Sequence, residues 1–407
     1  MAITKLSTIA TPGRRYGSFA GKVNDTALTG SAAVAVNASG SLTTGISLSS
    51  SSSISILSAG TLTTGILMTS AASVSVTASA AITTGISLVG DATVDLAASA
   101  DLTTSITMSG SSSVSVIASA ALTTGISLLG SAEIALASSG DLTIQPAGLI
   151  GGAVLTVNAS GGLTTGITLS GDANIAVTVV GDLSTVIALN GESTITVTAS
   201  GSMTTGIRLI GDSSVSVLAS GELTTGITLY GSSSITVMST GTITTGIRLT
   251  GSSSISVLTS GDLTVDSFGL SGSAAVVINS AGTLTTNISL SAVADVTIAA
   301  AANLTVGVKL NGSGEVHVTT SGSLVTGITL NGSSIIAIES SGSITTGISL
   351  SSAASVAVSS TGSLTTEIRL AAAATVNISA SGLLTGRKIK LRSLLAEGGL
   401  FPSDLLI

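Results

Sequence analysis

The side chains of this sequence that are able to do chemistry are mostly carboxylates. The chain has nineteen Asp and Glu residues, but only one histidine, His317, and no cysteine. These numbers exclude a histidine pair, a facial metal site with two histidines and any thiolate ligand. A pair of outward carboxylates on neighbouring strands is the arrangement that remains available for catalysis.

The acidic residues show no sign of such a site. They are scattered over turns and outward strand positions, and calcium-binding Gly-Gly-x-Gly-x-Asp repeats are absent. A saccharide-cleaving cleft also needs aromatic side chains, of which the repetitive part of the chain has two, Tyr230 and Phe268. We therefore predict a non-enzymatic protein without a cofactor or a metal. The acids considered are Asp91, Asp95, Asp101, Glu133, Asp141, Asp172, Asp182, Glu192, Asp212, Glu222 and Asp262.

His317 and the Gly21-Lys22 dipeptide also have structural interpretations rather than catalytic or ligand-binding ones. His317 alternates with Glu315 in a strand-like segment, so we expect an exposed strand residue. Gly21 and Lys22 are followed by Val23 and do not complete a phosphate-binding loop.

The elements that carry these residues are copies of one motif. Residues 163–169, LTTGITL, have eighteen versions at a spacing of 20, with two spacings of 21. A fixed period of this size is typical of stacked supersecondary units, none of which buries its apolar face alone. The copies begin at Leu42, Leu62, Ile82, Leu102, Leu122, Leu142, Leu163, Leu183, Met203, Leu223, Ile243, Leu263, Leu284, Leu304, Leu324, Ile344, Leu364 and Leu384.

Within each copy the apolar residues fall on every second position. In the copy that begins at Leu183, one face carries Leu183, Ile187 and Leu189, and a second segment continues it with Ile195 and Val197. Period two predicts strands, and the Ser, Gly, Asn and Asp clusters between them predict turns. Each repeat is therefore expected to contain two strands.

Two architectures use such strands, a hairpin meander and a parallel β-solenoid. The Asn190-Gly191 dipeptide resembles a hairpin turn, but a two-residue loop there would pair Leu189 with Glu192 and point the apolar residues of the two strands to opposite faces. In a solenoid each strand stacks on its own copy 20 residues later. We predict an all-β parallel β-solenoid of about eighteen 20-residue coils, with two strands per coil.

Stacking places identical residues in ladders, and one of these is polar. Thr165, Thr185 and Thr205 recur on the buried face. We expect each hydroxyl to bond to the hydroxyl of the next coil or to a nearby carbonyl, as a satisfied polar row in the core.

A longer period of 121 residues is superimposed on the period of 20 residues. The copies at Leu142, Leu263 and Leu384 are irregular, and each ends a group of six. An irregular coil can bulge, bend the stack or break it into segments. The predicted organisation is an N-terminal basic anchoring segment at 1–29, solenoid blocks at 30–162, 163–283 and 284–384, and a C-terminal cap or docking tail at 385–407.

The basic residues are concentrated near the two ends of the chain, and most acidic residues lie between them. The formal net charge is -7, yet eight of the twelve bases lie before residue 30 or after residue 383. The acidic shaft argues against nucleic acid along it, and the basic ends are expected to bind protein partners. The candidate anchoring residues are Arg14, Arg15, Tyr16, Phe19, Lys22, Arg387, Lys388, Lys390, Arg392 and Phe401.

Targeting signals are weak. The segment 6–10, LSTIA, is too short and polar for the apolar core of a signal peptide, and Pro12 follows at once. No run of eighteen apolar residues predicts a membrane span. We expect folding in the cytoplasm in which the chain is made.

The coil length, the LTTGIxL heptad and the Ser/Gly/Asn/Asp turns of residues 30–384 resemble the β-solenoid shafts of bacteriophage fibre and tailspike proteins. This resemblance implies a structural virion protein, a fibre or surface-decoration component assembled in the host cytoplasm. It also implies a homo-oligomer, with a trimer favoured, fixed to other virion proteins by one terminus and able to meet a host surface receptor.

Two alternatives remain. One is a self-assembling extracellular filament or adhesin at a cell surface, in which basic ends meet the acidic shaft of another copy. The other is an ice-binding solenoid with a flat Thr-rich face. Against ice binding, the outward triplets vary, and Arg208, Arg248, Lys309 and Arg369 interrupt the plane.

Overall fold

A computed structural model describes residues 14–19, 26–28, 32–49, 51–291, 293–371 and 374–391. The described residues form 38 strands and no helix. The chain divides into two compact units, unit 1 at 1–210 and unit 2 at 211–407. Each unit is a parallel β-solenoid with two sheets, together about 17 turns, which confirms the predicted fold class.

In unit 1 the odd-numbered strands form one sheet and the even-numbered strands form the other; we call these the odd sheet and the even sheet. The odd strands are β1 (Arg14–Phe19), β3 (Ala32–Ala38), β5 (Ser52–Ser58), β7 (Ala72–Ala78), β9 (Ala92–Ala98), β11 (Ser112–Ala118), β13 (Ala132–Ser138), β15 (Ala153–Ala159), β17 (Ala173–Val179) and β19 (Ser193–Ala199). The even strands are β2 (Thr26–Leu28), β4 (Leu42–Leu48), β6 (Leu62–Met68), β8 (Ile82–Val89), β10 (Leu102–Ser109), β12 (Leu122–Leu129), β14 (Leu142–Ile150), β16 (Leu163–Ser170), β18 (Leu183–Asn190) and β20 (Met203–Ile210).

Unit 2 repeats this arrangement. Its odd strands are β21 (Ser213–Ala219), β23 (Ser233–Ser239), β25 (Ser253–Thr259), β27 (Ala274–Ser280), β29 (Ala294–Ala300), β31 (Gly314–Thr320), β33 (Ser334–Ser340), β35 (Ala354–Ser360) and β37 (Ala374–Ala380). Its even strands are β22 (Leu223–Tyr230), β24 (Ile243–Thr250), β26 (Leu263–Ser271), β28 (Leu284–Leu290), β30 (Leu304–Leu310), β32 (Leu324–Leu330), β34 (Ile344–Leu350), β36 (Leu364–Leu370) and β38 (Leu384–Leu391).

Within each unit, the strands pair in parallel with their own copies one coil later. Leu163 pairs with Leu183, and Ile167 pairs with Ile187. The side chains alternate strictly between buried and exposed, so that Leu183 and Ile187 are buried and Ser184 is exposed. Parity therefore puts the Leu, Ile and Val side chains of the repeated inward positions between the two sheets, as predicted.

Glycine turns the chain from the even sheet into the odd sheet. Gly191 has φ = +144°, a backbone conformation that L side chains rarely adopt. A Cβ at this position would lie 2.4 Å from the carbonyl oxygen of Gly171, one coil earlier. The Asn190-Gly191 dipeptide is thus a coil corner between β18 and β19, which belong to different sheets, and not a hairpin turn.

The two irregular copies inside the solenoid are bulges. In β14, Pro146 and Ala147 stand between the residues paired with Gly125 and Ser127, where a single residue fits in the neighbouring strand. In β26, the extra residue is Asp266. Strand pairing continues on the C-terminal side of both bulges, from β14 to β16 and from β26 to β28. Of the predicted outcomes, bulging is therefore confirmed, and the three six-coil blocks stay a prediction.

The ends of the chain extend the sheets. The strand β1 pairs with β3, and the short β2 pairs with β4, so part of the predicted anchoring segment continues the ladders. At the other end β38 pairs with β36 across a further irregularity. Residues 392–407 of the predicted C-terminal cap or docking tail lie outside the described residues.

Candidate functional site

The aspartates in the turns hold one coil to the next. Asp141 Oδ1 accepts a hydrogen bond from the Gly162 amide at 2.9 Å, and Asp182 Oδ1 accepts one from the Ser202 amide at 2.9 Å. Because strands end at these corners, the amides have no ladder partner, and an ionised acceptor gives a strong bond. Within the described residues, this role is filled by Asp91, Asp101, Asp141, Asp172, Asp182, Asp212 and Asp262.

This capping role was missed from the sequence, although a signal exists. Six of these aspartates follow glycine directly in a turn, as in Gly171-Asp172 and Gly261-Asp262, at positions that recur with the coil. Seven of the eleven carboxylates that looked scattered thus accept a hydrogen bond from a backbone amide of the next coil. In the described part of the chain, no group of three His, Asp or Glu side chains is placed to hold a metal ion.

A second set of side chains joins the coils where the odd strand ends, at the same corner as Asp141, Asp182 and Asp262. Thr259 Oγ1 donates to the Gly241 carbonyl at 2.6 Å and accepts from the Gly261 amide at 3.1 Å. One hydroxyl thereby links a coil to the preceding one and closes its own turn. The same pair of bonds is made by Ser239, Thr320, Ser340 and Ser360.

The buried threonine ladder does not behave as predicted. The hydroxyls of its members are buried and have no hydrogen-bond partner in the described protein. In-register stacking gives successive threonines the same orientation about 4.8 Å apart, which is too far for one hydroxyl to reach the next. The expectation of a satisfied polar row was wrong. The residues are Thr44, Thr64, Thr84, Thr104, Thr124, Thr165, Thr185, Thr205, Thr225, Thr245, Thr286, Thr326, Thr346 and Thr366.

The outward side chains of the even strands form a surface that we call the even face. In unit 2 its middle position is glycine in several coils, and at Gly327 and Gly347 an added Cβ would meet no atom within 4 Å. The sixth strand position carries the exposed bases Arg248, Lys309 and Arg369. Arg369 pairs with Glu367 at 2.7 Å, with both side chains about half exposed or more, so this ion pair contributes little stability.

The outward side chains of the odd strands, the odd face, carry acids instead. In unit 2 these are Asp295 and Glu315 on successive strands and Glu339 on the next, all exposed. His317 is also exposed on this face, as predicted. Unit 1 has the same polarity, with Arg208 on the even face and Asp95 and Glu133 on the odd face.

Asp295 and Glu315 are the nearest approach to paired outward carboxylates. They occupy the same strand position on successive coils, and Asp295 Oδ1 accepts from the Glu315 amide at 3.3 Å. Among the described residues around them there is no aromatic ring and no third acid on the same pair of strands. The pair lies on an open flat face, which gives a substrate no enclosed site.

The predicted anchoring residues lie on terminal strands or beyond them. Four of them, Arg14, Arg15, Tyr16 and Phe19, are in β1, and three, Arg387, Lys388 and Lys390, are in β38. The backbone pairing places Lys388 beside Glu367 in the ladder. Lys22, Arg392 and Phe401 lie outside the described residues, and anchoring stays a prediction for all ten.

These features define a class of protein, a two-sheet parallel β-solenoid in which turn aspartates and corner hydroxyls connect successive coils. No protein-family model, curated protein or solved structure matches the chain. Among the described residues, no helix is long and apolar enough to cross a membrane.

Proposed function

We propose that this chain is a non-enzymatic structural protein, a fibre or surface-decoration component of a phage particle. The observation that carries the proposal is that polar side chains at the turns and corners bind the backbone of a neighbouring coil. The turn aspartates and the corner hydroxyls bond to the backbone of a neighbouring coil, and the outward faces are flat and repetitive. Such a molecule presents a stiff surface and offers no enclosed site for a substrate.

The resemblance to fibre shafts supplies the virion part of the proposal. In this proposal the shaft is a homo-oligomer, with a trimer favoured, and one basic terminus attaches it to other virion proteins. Opposite charges support such contacts, because the terminal segments are basic and the shaft between them is acidic.

The test is negative-stain electron microscopy of the protein expressed from Met1, with mass photometry on the same sample. Discrete elongated particles of threefold mass support the proposal, whereas indefinitely long filaments favour the self-assembling filament or adhesin. A monomer that associates with no larger particle refutes the proposal.

Attachment is tested separately by adding the purified protein to particles that lack it. Arg14→Glu and Arg387→Glu serve as matched variants for the two termini. We expect one of them to abolish binding and the other to leave it intact, which identifies the anchored end. If both bind as the wild type does, the basic termini are not the anchors.

Ice binding is a second candidate, favoured by one feature of unit 1. Thr43, Thr63, Thr83 and Thr103 are exposed at the same position of four successive even strands. Their spacing of about 4.8 Å makes a regular row of hydroxyl and methyl groups. Thermal hysteresis that disappears in Thr83→Tyr would support this function, and its absence in the wild type would exclude it.

A further inference from the structure

The even face and the odd face of unit 2 have opposite charge. Among the described residues of unit 2, the even strands carry the exposed bases Arg248, Lys309 and Arg369 together with two exposed acids, Asp266 and Glu367. The odd strands carry three exposed acids, Asp295, Glu315 and Glu339, and no arginine or lysine. Arg369 pairs with Glu367, whereas Lys309 and Glu315 have no ion-pair partner among the described residues. Two faces of opposite sign on one molecule are complementary to each other on two copies.

The path of the chain places one base, Lys309, and one acid, Glu315, at the same edge of a coil. Lys309 is at the sixth position of β30, and Glu315 is at the second position of the following strand, β31. Because the chain crosses the even sheet and returns through the odd sheet, these two positions lie at the same edge of the coil, on opposite faces. A second copy placed alongside at the same height therefore brings its Glu315 opposite Lys309.

The same placement brings no opposed like charges together. Arg248 falls opposite Ser254 of the second copy, and the outward glycines fall opposite the middle positions of the odd strands. At Gly327 and Gly347 the open space above the even sheet allows close approach of another sheet. Glycine inside a strand weakens the strand. At Gly327 and Gly347 neither the backbone φ nor the packing within this chain requires glycine. A contact with another molecule is a reason for glycine at these two positions.

We propose that copies of this chain associate side by side and in register, with the even face of unit 2 of one copy against the odd face of unit 2 of the next, and with Lys309 opposite Glu315. The inference rests on the proposed homo-oligomeric fibre and names its contact surface. The contact is heterologous, since two different faces meet, and it closes into a ring or continues as an open row according to the rotation between copies.

The test compares Lys309→Glu, Glu315→Lys and the double variant that carries both changes. Mass photometry over a dilution series gives the dissociation constant, and circular dichroism confirms that each variant is folded. We expect each single variant to weaken association about tenfold or more, because each places like charges opposite each other. The double variant restores the pair with reversed sign and should recover most of the loss.

Arg248→Glu is the matched control. It makes the same change of charge on the same face, but its opposite residue is Ser254, so association should change little. A further expected result is weaker association of the wild type in about 1 M salt, where the Debye length falls to roughly 3 Å.

The outcomes separate the two proposals. An oligomeric wild type whose dissociation constant is unaffected by Lys309→Glu leaves the fibre standing and overturns the contact surface. Equal losses in Lys309→Glu and Arg248→Glu, or a double variant no better than the single ones, overturn it as well. A wild type that stays monomeric overturns the contact surface, and it refutes the proposed function as well if it also associates with no larger particle.

Discussion

Replacing one buried threonine of the ladder by valine should stabilise the protein. Thr346 is 3% exposed, and its hydroxyl has no hydrogen-bond partner in the described protein. A buried polar group without a partner costs about 1–3 kcal/mol, and valine has the same shape without the hydroxyl. We therefore expect Thr346→Val to raise the free energy of unfolding by about 1–2 kcal/mol.

The chain contains its own precedent for this change. Val306 occupies the ladder position between Thr286 and Thr326 and is 2% exposed, so valine fits the site without displacing the sheets. The reverse variant Val306→Thr is the matched control. It introduces one more buried hydroxyl and should lower the free energy of unfolding by about 1–3 kcal/mol.

The assay is denaturant unfolding followed by circular dichroism, with the transition midpoint and slope compared between the two variants and the wild type. A change in midpoint without a change in slope reports stability alone. If Thr346→Val is destabilising, the hydroxyl is satisfied in solution, for example by buried water, and the argument from the unpartnered ladder is refuted.

Three further predictions use the same assay. Thr259→Ala removes both corner bonds and should cost about 1–2 kcal/mol, whereas Thr259→Ser should retain them; equal losses would contradict the hydrogen-bond argument. Asp262→Ala leaves an amide at the coil corner without its carboxylate acceptor and should cost about 1 kcal/mol, with Asp262→Asn in between. Gly251→Ala forces a Cβ to within 2.3 Å of a carbonyl oxygen at φ = +134° and should destabilise strongly. Gly327→Ala, in open space, should be neutral or stabilising by about 0.5 kcal/mol, and a similar loss at both glycines would show that steric contact is not the cause.

The regular part of this fold was accessible from the sequence because one pattern is repeated many times. Parity identified the buried residues of the coil at Leu183, and the register conflict at Asn190-Gly191 excluded hairpins. The changes of spacing after Leu142 and Leu263 located the two bulges. Each of these inferences depends on backbone periodicity, which every coil reinforces.

The polar contacts were not accessible in the same way. Whether the hydroxyl of Thr346 has a hydrogen-bond partner depends on a distance of a few tenths of a nanometre between successive coils. The spacing of residues along the sequence does not give this distance. The turn aspartates were overlooked because the amides that donate hydrogen bonds to them lie at the corner of the next coil, about twenty residues away. The Gly-Asp dipeptides were visible, but their meaning required the three-dimensional turn. Lys309 and Glu315 were likewise visible as charges, and only the path of the coil places them at one edge.

In-register pairing of identical positions has a consequence for how this chain can change in length. Removing or adding a whole coil of 20 residues inside a regular stretch joins the same strand positions again, as Leu163 now meets Leu183. Removing an odd number of residues would turn the buried side chains outward. Within a unit, the stack can therefore lengthen or shorten in steps of about 4.8 Å, one coil at a time, with the same neighbours above and below. Duplication or loss of single coils therefore changes the length of the stack without the need for a new fold.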